Sequence, residues 1–258
     1  MTGPAIPAAT LIVMRDRVGA APEVLMVERA AKLAFAGGAM VFPGGRIDAA
    51  DEAAAAAARP TPHAAARIAA IRETIEESSV AVGLAPTPGP ALTATLAKAL
   101  HDGGSFPDLL AAHDLALDLD QLTLFARWKP AFHQTRIFDT LFFVAEAPAS
   151  NWVPAPQPGE CEAVIWIGAA ALLERIGAGH ATAIFPTVRN LERLAQFASV
   201  AEARADALAY PVEIITPWVE EVNGTTYLRI PDGLGYPVTR EPMDEVRRGF
   251  GANAFPPA

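Results

Sequence analysis

The stretch from Ala39 to Val80 constrains this 258-residue chain more than any other. Its first part, Ala39-Met40-Val41-Phe42-Pro43-Gly44-Gly45-Arg46-Ile47-Asp48, reads as a strand ending in a glycine turn. After an alanine-rich interruption, Arg72-Glu73-Thr74-Ile75-Glu76-Glu77-Ser78-Ser79-Val80 reads as the acidic end of a helix. Glu73, Glu76 and Glu77 stand at i, i+3 and i+4 and share one helix face, while Ile68, Ile71 and Ile75 fall almost opposite. Such a helix packs one face and gathers negative charge on the other. Like charges at i,i+4 cost a helix roughly 0.2–0.5 kcal/mol, so helix stability does not explain the Glu73/Glu77 pair. A hard divalent cation reverses that penalty, because Mg²⁺ takes oxygen ligands from a few carboxylates and from substrate phosphates. Alone, Arg-Glu-x-x-Glu-Glu is most often a solvated helix face; the strand and glycine turn upstream make it a candidate site.

Gly45, five residues, the acid Asp51 and then, after an insertion, Arg72-Glu73-x-x-Glu76-Glu77 resemble the signature of the Nudix hydrolases. That signature is a glycine, five residues, Glu, seven residues, Arg-Glu, an aliphatic, any residue, Glu-Glu, any residue, Gly and an aliphatic. This chain departs from it in four places. Asp51 stands for Glu, 20 residues separate it from Arg72, Thr74 replaces the aliphatic, and Ser79 replaces the closing glycine. The insertion, Glu52 to about Thr61, reads as a lengthened loop, which costs little. The resemblance implies an α/β fold: a Nudix-type α/β/α sandwich with a mixed sheet, spanning residues 8–208. A helical insertion is expected at about 91–118, and a hairpin and coil extension over 209–258.

The same resemblance implies metal-dependent hydrolysis of a nucleoside diphosphate linked to another moiety, with Mg²⁺ or Mn²⁺ as cofactor. Its metal ligands would be Gly45, Glu73, Glu76 and Glu77. Arg72 would orient Glu73 by an ion pair, and Glu73 and Glu160 are both candidates for the general base, with Glu162 in reserve. Arg29, Gly44 and Arg136 are the candidate substrate contacts. Trp128 to Pro130, the run Arg136-x-Phe138-Asp139-Thr140-x-Phe142-Phe143, and Leu33-Ala34-Phe35 resemble the subgroup of the peroxisomal coenzyme A diphosphatases and their bacterial relatives. Coenzyme A or an acyl-coenzyme A is therefore one expected substrate. Ala34 and Ala36 occupy positions where a second coenzyme A motif has Arg and His, so ADP-ribose, dinucleotides and capped RNA stay open. A nucleotide-binding sensor without turnover is a further alternative, favoured by Asp51 and Ser79.

A net charge of -9 argues against non-specific nucleic-acid binding, which needs a basic surface. It is compatible with a phosphorylated small molecule if bound cations carry the local positive charge. Cys161 is the only cysteine, which fits a reducing compartment, and its two acidic neighbours disfavour a thiolate nucleophile. Met1 to Ala9 lacks a basic leader, and no run approaches the roughly 18 apolar residues of a membrane span. A cytoplasmic protein with no membrane partner is expected.

Along the rest of the chain, Thr10–Met14 and Val24–Glu28 read as a hairpin. Thr61 and Pro62 suit the N-cap and first turn of the acidic helix. Leu92–His101 and Phe106–Leu117 read as helices after the Pro86–Pro90 cluster, followed by strands at Leu124–Pro130 and Arg136–Ala145. Gln157 to Glu160 is a loop feeding a strand that ends at Ile167, with a helix over Ala169–Ile176. One long helix is expected over Val188–Leu208, then a hairpin of Val212–Ile215 with Thr225–Ile230 through Asn223-Gly224, and coil from Pro231. That tail either covers the domain or reaches a second copy of the chain in a homodimer.

Overall fold

Leu11, Ile12, Val13 and Met14 are all buried, although successive residues of a strand face opposite ways, so this run must be packed on both sides. The computed structural model describes residues 5–33, 36–130, 137–149 and 153–250, the last four without their side chains. In it the run lies in β1 (Ile6–Arg17), inside an eight-stranded mixed sheet. In chain order there follow β2 (Ala20–Arg29), β3 (Met40–Val41), β4 (Gly44–Arg46), α1 (Ala49–Ala57), α2 (Ala64–Ser78), β5 (Leu84–Ala85), α3 (Pro90–His101), α4 (Phe106–Ala112) and β6 (Ala116–Leu117). The second half comprises β7 (Thr123–Trp128), β8 (Phe138–Glu146), β9 (Cys161–Gly168), α5 (Ala169–Gly177), α6 (Phe185–Leu194), α7 (Val200–Ala209), β10 (Ile214–Ile215), β11 (Trp218–Val222), β12 (Thr225–Arg229), β13 (Arg240–Pro242) and α8 (Met243–Phe250).

The main sheet runs β10-β7-β8-β1-β2-β3, with β4 also paired to β1 and β9 to β2. β1 is parallel to β8 and β10 to β7; the other pairs are antiparallel. On one face Leu11, Val13, Leu25 and Phe143 pack against Ile68, Ile71 and Ile75 of α2, Leu96 of α3 and Leu110 of α4. On the other, Ile12, Met26, Phe142 and Val144 meet Leu172, Leu191 and Ala203, together with Leu228, Ile230, Tyr236 and Val246 from the C-terminal part. The expected α/β/α sandwich is therefore present, with the acidic helix on one outer layer.

Several local expectations are corrected. The strand through Phe42-Pro43-Gly44-Gly45 is two strands: Pro43 offers no N–H, and the chain passes there from pairing with β2 to pairing with β1. The alanine-rich insertion is a helix, α1, as alanine's helix propensity permits, opened by a capping box between Asp48 and Asp51. α2 starts at Ala64; Thr61 Oγ1 donates to the Arg59 carbonyl at 3.1 Å, and His63 takes the N-cap at φ +57°. The second insertion helix stops at Ala112, and Ala116–Leu117 pairs with β5. Residues 188–208 form two helices, because Ser199 caps α7 by accepting the Glu202 N–H at 3.1 Å. The terminal hairpin is β11 with β12; Asn223 and Gly224 (φ +52° and +78°) make its turn, and Ile214–Ile215 instead extends the main sheet. The expected coil contains β13 and α8.

A buried arginine on α6, Arg193, ties the C-terminal part to the sheet, lying against Phe125 of β7 and the Tyr236 ring. Arg193, 2% exposed, donates from Nε to Asp206 at 2.8 Å and from Nη1 to the Phe125 carbonyl at 3.1 Å, with its guanidinium 4.0 Å above the Phe125 ring. Beside it the Tyr236 hydroxyl accepts from Trp128 Nε1 at 3.0 Å and donates to Asn190 at 2.8 Å. Removing one partner of a buried ion pair strands the other. Arg193→Met is accordingly expected to cost about 3 kcal/mol, seen as a lower urea midpoint with an unchanged m-value.

Candidate active site

Gly44 lies against β1 and Gly45 against Glu73 of α2, each too closely for a side chain as the structure stands. A Cβ on Gly44 would lie 2.5 Å from the Ala9 carbonyl oxygen, and one on Gly45 would run into the Glu73 carboxylate. Backbone atoms therefore require glycine at position 44, whereas a side chain at position 45 would displace the Glu73 carboxylate. The approach lets the Gly44 N–H donate to Glu77 Oε2 at 3.0 Å, and Arg29 Nη1 stands 3.8 Å from the other oxygen. Glu77 is only 3% exposed.

Arg72 organises the other two carboxylates. Its Nη1 donates to Glu73 Oε1 at 2.8 Å and lies 3.7 Å from Glu76. Nε and Nη2 grip Asp51 at 3.1 and 3.0 Å, and Nη2 also donates to the Arg46 carbonyl at 3.1 Å. The expected ion pair with Glu73 is present, and Asp51, 1% exposed, is Arg72's bidentate partner. The two other departures from the signature also have local reasons. Buried Thr74 satisfies its hydroxyl by donating to the Ala70 carbonyl at 2.7 Å, so it can stand where an aliphatic is usual. Ser79 closes α2 at φ +55°, a left-handed position that favours glycine.

Burial raises the carboxylates' affinity for protons. Glu77 is pushed up to about 8 by burial and then by the Glu73 charge, against the pull of the Gly44 amide and Arg29. Glu73 is pushed up to about 7, again chiefly by burial, with Arg72 opposing and Glu76 adding to the rise. Glu76 is also raised, by burial first, with Arg72 opposing it and Glu160 adding. Among the described residues no group of three or more His, Cys, Asp or Glu side chains is gathered as one coordination sphere, because Arg72 and the Gly44 amide engage these oxygens instead. The donor set nevertheless fits a hard divalent ion: carboxylate oxygens only, mutually repelling, partly desolvated, beside a bare backbone turn.

The other candidates are placed as follows. Glu160 is exposed at the start of β9; its carbonyl accepts the Ala30 N–H at 2.8 Å, and its charge reaches Glu76 and Glu77. Glu162 accepts the Ala31 N–H at 3.0 Å. Arg136 lies outside the described residues. The Cys161 thiol is buried and pushed up to about 12, as expected of a non-nucleophile. Two residues were not singled out from the sequence. Gln157 Nε2 donates to Glu76 Oε1 at 3.2 Å and lies 2.7 Å from Nδ1 of His101, and no spacing links these three.

This α/β/α sandwich, with its glycine turn seated on a glutamate-bearing helix, is the Nudix fold. The structure is similar to that of a Nudix hydrolase from Alicyclobacillus acidocaldarius, with TM-score 0.68 and 29% identity over 80% of this chain and 97% of that one. Weaker likenesses are to the NUDIX domain of Shewanella oneidensis NrtR complexed with ADP ribose (TM-score 0.44, 12% identity, 75% of this chain and 88% of that) and to a C. elegans Ap4A hydrolase (0.39, 14%, 80% and 98%). No protein-family model and no curated protein matches the sequence. Fold and likeness to the Alicyclobacillus hydrolase together support an enzyme, a hydrolase on the Nudix fold.

Two stability predictions follow from this geometry. Ser79→Gly removes the left-handed strain at the end of α2 and should raise stability by about 1 kcal/mol in thermal or urea denaturation. For the carboxylates, the folded chain still holds protons that the unfolded chain has released between the ordinary value near 4.5 and about 8. Stability in chelator should therefore be greatest below about pH 4.5, as far as these groups set it, and fall as pH rises towards 8. Glu77→Gln should flatten that fall; a denaturation midpoint that rises over this range would contradict the assignment.

Proposed function

We propose that this chain hydrolyses a nucleoside diphosphate linked to another moiety, using Mg²⁺ or Mn²⁺ held by Glu73, Glu76 and Glu77 with the Gly45 carbonyl. The observation that carries this reading is the burial of mutually repelling carboxylates against a glycine backbone, a costly arrangement with no packing benefit. A diphosphate resists attack because its own oxygens repel an incoming nucleophile. A divalent cation bound here supplies positive charge to the phosphates and makes the attacking water more acidic.

The protein's own groups divide the remaining work. Arg72 fixes the Glu73 carboxylate, and the Gly44 N–H fixes that of Glu77. Arg29, beside Glu77, is the cation on hand for a phosphate oxygen, and Arg136 is assigned the same task from sequence. Water adds to one phosphorus, the anhydride P–O bond breaks, and two phosphate monoesters leave. The proton released passes to Glu73 or Glu160, the two candidate bases. Coenzyme A or an acyl-coenzyme A is the first substrate to test, with ADP-ribose, dinucleotides and capped RNA as the other arms. The sensor reading loses its main support, since Asp51 keeps a structural role and Ser79 still closes the helix.

The test is turnover of coenzyme A, ADP-ribose, diadenosine tetraphosphate and capped RNA, each with Mg²⁺, with Mn²⁺ and with chelator. Cation-dependent hydrolysis of at least one is expected, and Glu76→Gln should lower kcat at least about 100-fold. A Glu76→Gln variant as active as the parent would end this reading.

A further inference from the structure

We propose that Gln157 is a positioning residue for Glu76, and that His101, which closes α3, holds the Gln157 amide in place by accepting its second N–H. This deepens the function proposed above and rests on it. Gln157 is 4% exposed, and its backbone is fixed independently of its side chain: its N–H donates to the Glu77 carbonyl at 3.3 Å and its carbonyl accepts from Cys161 at 3.1 Å. From this base Nε2 reaches both Glu76 Oε1 at 3.2 Å and His101 Nδ1 at 2.7 Å.

The chemistry of the three groups fixes the orientation. An ionised carboxylate only accepts hydrogen bonds, so it must face the NH₂ end of the amide. The second Nε2 hydrogen then points at Nδ1, which can accept it only as the neutral ring carrying its proton on Nε2. One NH₂ group is thus shared between a site carboxylate and the end of an inserted helix. Glu73 is held by Arg72 and Glu77 by the Gly44 amide. Among the described residues Gln157 is the one hydrogen-bond donor to the Glu76 side chain, whose next neighbour is Arg72 at 3.7 Å. Without an acceptor at Nδ1 the second N–H of this buried amide loses its partner, and the side chain that holds Glu76 is no longer fixed from its far side.

The experiment compares Gln157→Leu, His101→Phe, His101→Asn and Glu76→Gln in the full chain. Asn is chosen because its Oδ1 can stand where Nδ1 stood. Titration with Mn²⁺ alone, followed by electron paramagnetic resonance, should show affinity reduced about 10-fold or more in Gln157→Leu and His101→Phe and restored in His101→Asn. Nitrogen-15 spectra of the metal-free parent should show His101 as the Nε2–H tautomer, and Gln157→Leu should lose that preference. If Gln157→Leu and His101→Phe bind Mn²⁺ like the parent while Glu76→Gln does not, the positioning role is overturned and the site reading stands. If Glu76→Gln also binds and turns over like the parent, the site reading fails and the proposal goes with it. Should Gln157→Leu not fold, the two His101 variants decide: equal impairment in both overturns the role of His101, and rescue by Asn supports it.

Discussion

The Arg72 guanidinium makes four hydrogen bonds, two to Asp51, one to Glu73 and one to the Arg46 carbonyl, while lying within 4 Å of Glu76 and Asp48. Its planar fork can do this because bidentate and single contacts leave from different edges of the same group. Removing negative charge from water is tolerable only where opposite charge and hydrogen bonds replace the lost hydration. Around α2 that compensation is uneven. Asp51 receives the bidentate grip, Glu73 a single bond, and Glu76 only a longer ion pair from the same arginine. The carboxylates under-served by Arg72 are those whose proton affinity burial raises, and they are the ones left to receive another cation. The order in which Arg72 distributes its donors therefore separates a structural acid from the candidate ligands.

The alanine-rich insertion takes on meaning in that light. The first turn of α1 delivers Asp51 to Arg72 and uses the same carboxylate to cap the helix by accepting the Asp48 N–H at 2.9 Å. A carboxylate one methylene shorter than Glu must be brought closer to reach the same guanidinium. The helix supplies that approach, because a capping box pins the carboxyl to the backbone three residues upstream.

Much of the architecture was legible because period and punctuation agreed. The continuous apolar run of β1, the isoleucine stripe of α2 and the Asn-Gly turn were each found where the pattern put them. The misreadings have identifiable causes. Ser199-Val200-Ala201-Glu202 carries a capping-box pattern, but continuous apolar spacing from Leu191 onward masked it, and two helices read as one. The alanine run interrupts a motif and so resembles a gap, yet alanine's helix propensity makes it α1. Phe42-Pro43 looked like strand because the apolar run continues through it, although Pro43 cannot complete a ladder. In the site, the acids and glycines were visible as a local pattern within one helix and one turn. Gln157 and His101 were not, since their relation to Glu76 exists only once α3 and the loop before β9 are laid against α2.

The end of α2 is met by backbone from two sides, and this bears on how its acids can work. The Gly44 N–H enters from the glycine turn, and the segment before β9 crosses the helix end with the Ala155 N–H on the Ser78 carbonyl at 2.9 Å and that of Gln157 on Glu77. Ser79 then turns the chain out through a left-handed residue, so that the buried Val80 and Ala81 can begin the return towards the insertion. The bonds from Ala155 and Gln157 join backbone to backbone and depend little on side-chain rotamers, so the helix end stays where it is while individual carboxylates remain free to exchange Arg72 or a proton for a different cation. Fixed Cα positions with adjustable side-chain charge are what a site needs if it must bind an ion and a polyanion in turn. A looser scaffold would lose the repulsion between the acids by letting them drift apart, and with it the drive to take up positive charge.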